Sequence, residues 1–132
     1  MKANRRLRAS WALWMVVAAT ALGGCAAGAA SRPTVAHTTR GVESYLPGAA
    51  DHVEGRARIA RAELGVDVTG YTVTEDGAAR VLEGRVSDLQ GTIELHVDSA
   101  TSTRTEVIAR RSPARWDRRF ARALLDRIAT LG

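Results

Sequence analysis

Between Thr92 and Asp98 the chain alternates without a fault. Ile93, Leu95 and Val97 fall on one side, and Thr92, Glu94, His96 and Asp98 on the other. A period of two marks a strand with one buried and one solvated face. This stretch commits the chain to an antiparallel sheet covered on one side, and the remaining segments must supply its neighbours and its cover.

The neighbours are legible. Arg80–Ser87 sets Leu82 and Val86 against Glu83 and Arg85, and Thr103–Arg110 runs inward through Thr105, Val107 and Ala109. Turn signals separate them at Glu75-Asp76-Gly77, Asp88-Leu89-Gln90-Gly91 and Ser99–Ser102. From Val66 the pattern is less regular. Val66 and Val68 share one parity, Tyr71 and Val73 the other, with Gly70 between them, which predicts a bulge. Thr34–Leu46 is sparse in apolar residues and predicts only a first strand near Arg40–Leu46.

The cover comes from two helices. Val53, Ala57, Ala60 and Leu64 recur at i, i+4, i+7 and i+11 after Pro47-Gly48, with Arg56, Arg58, Arg61 and Glu54 mostly off that stripe. This helix spans about 49–64, and Gly65 ends it. Its alanines allow close approach to a sheet. Ser112-Pro113 ends the strands and precedes a second helix over about 114–131, with Phe120, Leu124, Ile128 and Leu131 on one face and Trp116 one turn earlier. The expected fold class is α+β, an antiparallel sheet with two helices packed on one face in the order β-α-β-β-β-β-α. It occupies residues 34–132 as one domain.

What precedes that domain is of a different kind. Lys2, Arg5, Arg6 and Arg8 carry four of the nineteen positive charges, and the first acid is Glu43. From Cys25 onward, fifteen arginines face fourteen acids, which leaves +1 of the whole-chain +5. The basic balance belongs to the first residues, so it does not point to nucleic acid. Met1–Ser10 reads as the n-region of an export signal and Trp11–Leu22 as its h-region. Twelve helical residues reach only about 18 Å, short of a bilayer core of roughly 30 Å.

Leu22-Gly23-Gly24-Cys25 closes that run, and Cys25 is the only cysteine. The pattern reads as a lipobox. Small residues pass the peptidase, Leu22 is the apolar residue three positions upstream, and the Cys25 thiol takes the diacylglyceryl group. The expected organisation is a signal peptide over 1–24, a lipidated tether over 25–33 and the folded domain. Two acyl chains already hold a protein stably on a membrane. Ala26 follows the cysteine, where Asp would mark inner-membrane retention. The expected location is therefore the outer membrane facing the periplasm, or the outer leaflet of the plasma membrane in a one-membrane organism. Eight tether residues reach at most about 28 Å, which keeps the domain near the surface.

The element order resembles the TBP-like or helix-grip arrangement, and the mature chain resembles a family of small bacterial lipoproteins of unknown function. The resemblance rests on Glu63-Leu64-Gly65-Val66-Asp67-Val68 and on Arg119-Phe120 with Leu124-Leu125-Asp126-Arg127-Ile128. It covers most of residues 40–131 and implies a fold, with no catalytic residues to carry over. The chain departs from it in its weak first strand and in Ser112-Pro113, where a glycine-containing approach to the last helix is expected.

Chemistry is thinly signposted. Glu94, His96 and Asp98 share a strand face but stand about 6.6 Å apart in succession, too far to converge on one metal ion. A solvated face with Arg85, Arg104 and Arg110 as cross-strand partners is the expectation. No phosphate-binding glycine loop, nucleophile elbow or cofactor motif occurs. Residues 110–132 hold seven arginines against Asp117 and Asp126, and Arg115, Arg118, Arg119 and Arg122 are the candidate contacts to a membrane or partner. The expected function is non-enzymatic: a lipid-anchored envelope domain that binds another envelope protein. The alternative is a carrier of a small apolar ligand or lipid, which requires a cavity of at least about 300 Å³ between sheet and helices. Replacing Cys25 with Ser should release the protein from the membrane fraction. Unchanged membrane fractionation at the processed size would exclude the lipobox.

Overall fold

The computed structural model describes residues 33–132; the leader, Cys25 and the tether up to residue 32 lie outside the described residues. The described chain is an α+β domain. Its elements are β1 (Ala36–His37), β2 (Gly41–Pro47), α1 (Ala50–Glu63), β3 (Asp67–Val73), β4 (Ala79–Val86), β5 (Leu89–Ser99), β6 (Ser102–Ser112), β7 (Arg115–Trp116) and α2 (Arg118–Thr130). The strands form one antiparallel sheet in the order β1-β2-β6-β5-β4-β3, and β7 also pairs with β6. Two short strands, β1 and β7, are added to the expected order. No helix among the described residues is long and apolar enough to cross a membrane.

Both helices lie on one face of the sheet. Val53, Ala57 and Ala60 of α1 are fully buried, as are Leu124, Leu125 and Ile128 of α2. They meet Val42 and Leu46 of β2, Leu82 of β4, Ile93 and Leu95 of β5, and Val107 of β6. Helix α1 ends at Gly65 (φ 72°), where the Gly65 and Val66 N–H groups donate to the Ala62 and Arg61 carbonyls. Such a close satisfies two carbonyls that the helix end would leave bare.

The bulge occurs where the sequence pattern places it. The pairing of β3 with β4 shifts between Val68 and Gly70, so Val68 opposes Gly84 while Tyr71 opposes Leu82. Residues opposite one another share a face. Val68, Tyr71 and Val73 are thereby all brought to the helix side.

Four expectations are corrected. The turn expected at 88–91 is only Ser87-Asp88, because Leu89 pairs with Val86 and buries its side chain. Val97 is half-exposed, since β4 begins at Ala79 opposite His96 and leaves no β4 residue opposite Val97. Arg61 is buried rather than off the core, and its aliphatic stem lies over the space left by Gly84. Trp116 does not extend the second helical stripe. Ser112-Pro113 begins a hairpin, Trp116 pairs with Arg110 in β7, and the helix starts at Arg118. Asp117 sets that start, its carboxylate accepting from the Phe120 N–H at 2.9 Å.

Two substitutions test this packing. Leu124→Ala should cost about 2–5 kcal/mol, because a fully buried leucine leaves a cavity. Gly41→Ala should also destabilise strongly, since its Cβ would stand 2.1 Å from the Val107 carbonyl oxygen. Denaturant unfolding measures both, and a Gly41→Ala midpoint equal to that of the unsubstituted chain would refute the close approach.

Candidate functional site on the open sheet face

The side of the sheet turned away from the helices is a grid fixed by register. One row runs Asp67, Arg85, Gln90, Arg110 and Trp116 across β3, β4, β5, β6 and β7. The next runs Gly70, Glu83, Thr92, Ile108 and Gly41. A third holds Thr72, Val81, Glu94, Glu106 and Glu43, and a fourth Ala79, His96, Arg104 and Tyr45.

The third row places three carboxylates side by side, and like charges directly opposite destabilise a strand pair. Arg40, from the turn between β1 and β2, relieves this. Its Nη2 lies 2.8 Å from Glu106 and 3.3 Å from Glu94. Arg104 stands 3.5 Å from Glu43, and His96 lies 3.6 Å from Glu94. Burial works to lower the Arg40 pKa, but the charges and hydrogen bonds of Glu94 and Glu106 outweigh it and hold it above its ordinary value. Glu106 is only 7% exposed, so this pairing answers a buried charge rather than decorating the surface.

Beside the carboxylates lies a shallow groove. Two adjoining clefts, of about 300 and 240 Å³, share Glu83, Thr92, Ile108 and Arg110. Trp116 forms one wall, with the Arg110 guanidinium 5.9 Å from its ring centroid. Arg40 and Glu94 form the other end. The groove is lined by an aromatic ring, two guanidiniums, two carboxylates and an apolar floor at Val81 and Ile108. Thr92 and Glu83, opposite one another across β4 and β5, supply a hydroxyl and a carboxylate that the two clefts share. Among the described residues no group of three or more His, Cys, Asp or Glu is placed to hold a metal ion.

The arginines singled out in the sequence are engaged to different degrees. Arg115 lies in β7. Arg118 donates to the Thr38 and Thr39 carbonyls at 3.0 and 3.2 Å, clamping the β1–β2 turn. Arg122 pairs with Asp126 at 3.0 Å on the helix surface, and Arg119 is exposed. The expected cross-strand partners are also redistributed. Arg104 serves Glu43, Arg110 stacks near Trp116, and Arg40, rather than Arg85, Arg104 or Arg110, supports Glu94. Sequence reasoning missed Arg40, Glu43 and Glu106. The outward parity of Arg104, Glu106, Ile108 and Arg110 is a signal for Glu106, but its neighbours are set by pairing across 60 residues.

Another cleft, of about 630 Å³, lies elsewhere. Pro47, Gly48, His52, Arg56, Ile59 and Leu131 line it at the outer junction of α1 with the end of α2. It does not enter the space between sheet and helices. No family model and no curated protein matches the chain.

Arg40→Ala should destabilise the domain by about 1–3 kcal/mol by leaving Glu106 buried and unpaired. Adding Glu106→Gln should recover part of that loss. A double-mutant cycle by denaturant unfolding measures the coupling, and strict additivity would show that Arg40 and Glu106 do not interact.

Proposed function

We propose that this chain is a lipid-anchored, non-enzymatic protein of the bacterial cell envelope whose domain binds a protein partner through the open sheet face. The observation that carries the reading is the division of the sheet. One side is sealed by two helices, while the other presents a groove with Trp116 and Arg110 at its wall. Tryptophan and arginine are the residues through which protein interfaces most often gain their energy. The lipobox at Leu22-Gly23-Gly24-Cys25 supplies the anchor, and the membrane is the second partner. In a two-membrane envelope the domain faces the periplasm from the outer membrane; with one membrane it sits on the outer leaflet. The near-neutral domain offers no basis for binding nucleic acid.

Arg115 and Arg119 are exposed and remain the candidate contacts to anionic head groups. Arg118 and Arg122 contribute less, because their guanidiniums are engaged within the domain. The alternative, an apolar-ligand carrier, has weaker support. The space such a cargo would need is filled by Leu46, Ile93, Leu95, Leu124 and Ile128, each at most 2% exposed.

Affinity purification of the full chain from detergent-solubilised envelopes tests the reading. Trp116→Ala should lower partner affinity by about 2 kcal/mol or more, whereas a paired Arg115→Glu, Arg119→Glu variant should retain the partner. Retention by Trp116→Ala with loss in the arginine variant would move the binding surface to the end carrying those arginines.

A further inference from the structure

We infer that the outer edge of β3 is a self-pairing surface, and that two copies of this chain join edge to edge about a two-fold axis at Tyr71. Strand β3 ends the sheet, and among the described residues no segment pairs with its outer side. The opposite edge, β1, is two residues long, whereas β3 has seven. Six large apolar side chains are exposed among the described residues, and three of them lie in this one strand: Val68 at 62%, Tyr71 at 45% and Val73 at 47%. Natural edges are usually guarded by lysine, proline or an inward charge. Between Val68 and Val73 this strand has none.

The occupant follows from register. A bulge ordinarily bends an edge away from partners. Here it also makes the strand symmetric. Thr69 is left out of the pairing with β4, so Val68, Gly70, Tyr71, Thr72 and Val73 are the successive paired positions. Val68, Tyr71 and Val73 take the helix side, and Gly70 and Thr72 the open side. Laid antiparallel on a second copy with Tyr71 at the centre, every opposed pair shares a face. Tyr71 meets its own counterpart, Gly70 meets Thr72, and Val68 meets Val73. One step further, Asp67 meets Thr74, so no carboxylate opposes another. An isologous two-fold contact requires this kind of self-complementarity. An unrelated strand would not.

The central residue is held for the contact. The Tyr71 hydroxyl donates to Glu54 at 2.5 Å, and the Arg58 guanidinium lies 4.8 Å from its ring centroid. The ring is fixed from α1, yet nearly half of the residue faces solvent. Aromatic and β-branched cross-strand pairs are the ones that most stabilise a sheet. Pairing would cover all three exposed side chains and join two sheets into one, leaving free the cleft beside Trp116, which no β3 residue lines.

Cysteine substitution in the full chain within its membrane reads the register directly. Opposed positions have Cβ atoms about 4.5–5.5 Å apart, close to the separation that a disulfide spans. Tyr71→Cys should give a reducible species at twice the monomer mass under mild oxidation. Thr72→Cys, one residue away, should not. Val68→Cys and Val73→Cys should each stay monomeric alone and link when co-expressed. The unsubstituted chain, whose only cysteine is Cys25, run alongside identifies any link made by residue 25. Wild-type chain in detergent should sediment as a dimer, and Val73→Lys as a monomer. A monomeric wild type, no dimer from Tyr71→Cys, or equal linking from Thr72→Cys would overturn the proposal. Trp116→Ala should leave linking unchanged, so failure here is separable from failure of the open-face reading.

Discussion

The register of β6 is the constraint on which the rest of this structure depends. Among the described residues it is the one strand paired with three others: β2 and β5 flank it, and β7 takes the place of β2 beyond Ile108. Its inward residues Thr103, Thr105, Val107 and Ala109 are at most 1% exposed, beneath the helices. Its outward residues Arg104, Glu106, Ile108 and Arg110 carry the middle of the open face. A slip of one residue would exchange these sets, burying two arginines and a glutamate under the helices. The two threonines are tolerated because their hydroxyls are used: Thr103 Oγ1 donates to the Gly48 carbonyl at 2.9 Å, tying the strand to the entry of α1.

From that strand the two sides of the sheet diverge in chemistry. The helix side is closed by small residues as much as by large ones. Ala57, Ala60 and Ala121 are completely buried, which lets the helix backbones come near the strands. Gly84 extends the same logic, since a Cβ there would stand 2.4 Å from Val66 Cγ1. The open side cannot be closed in this way, because its rows alternate charge with apolar patches. It is stabilised by pairing within the face, with Arg40 bridging Glu94 and Glu106 from outside the regular strands. Burial of Glu106 and Ile108 shows that this side is partly screened, against the expectation of one fully solvated face.

How much of this could be read from the sequence depended on whether the signal was local. The α1 stripe, the Gly65 stop, the alternation of β5 and the bulge near Gly70 are all written within a few residues. Each appears in the structure. Trp116 was misplaced because one helical turn before Phe120 and the returning strand of a hairpin are equally good local readings. The side-chain cap from Asp117 to Phe120 decides between them. The candidate site was the least legible part. Glu43 and Glu106 become neighbours only when β2 crosses back beside β6, and no periodicity encodes which strand lies next to which. Arg40 lies in a turn, where patterning is silent.

The charge distribution shows why shape and register, rather than field, carry the functional reading. Fifteen arginines after Cys25 are balanced in number by fourteen acids. Many are committed internally: Arg40 to two glutamates, Arg80 to Asp51, Arg111 to Asp88 and Asp117, Arg122 to Asp126 and Arg127 to Glu63. Pairs of this kind, mostly exposed, contribute little to stability individually. They do cancel the long-range potential that steers a protein toward polyanions. What remains uncancelled is geometric: a groove walled by Trp116 on one face, and an edge whose apolar residues are aligned by a bulge. With the proposed lipid anchor, proximity to the membrane would not depend on electrostatic capture. Specific contacts are then selected by local fit, and those two surfaces are where this chain offers it.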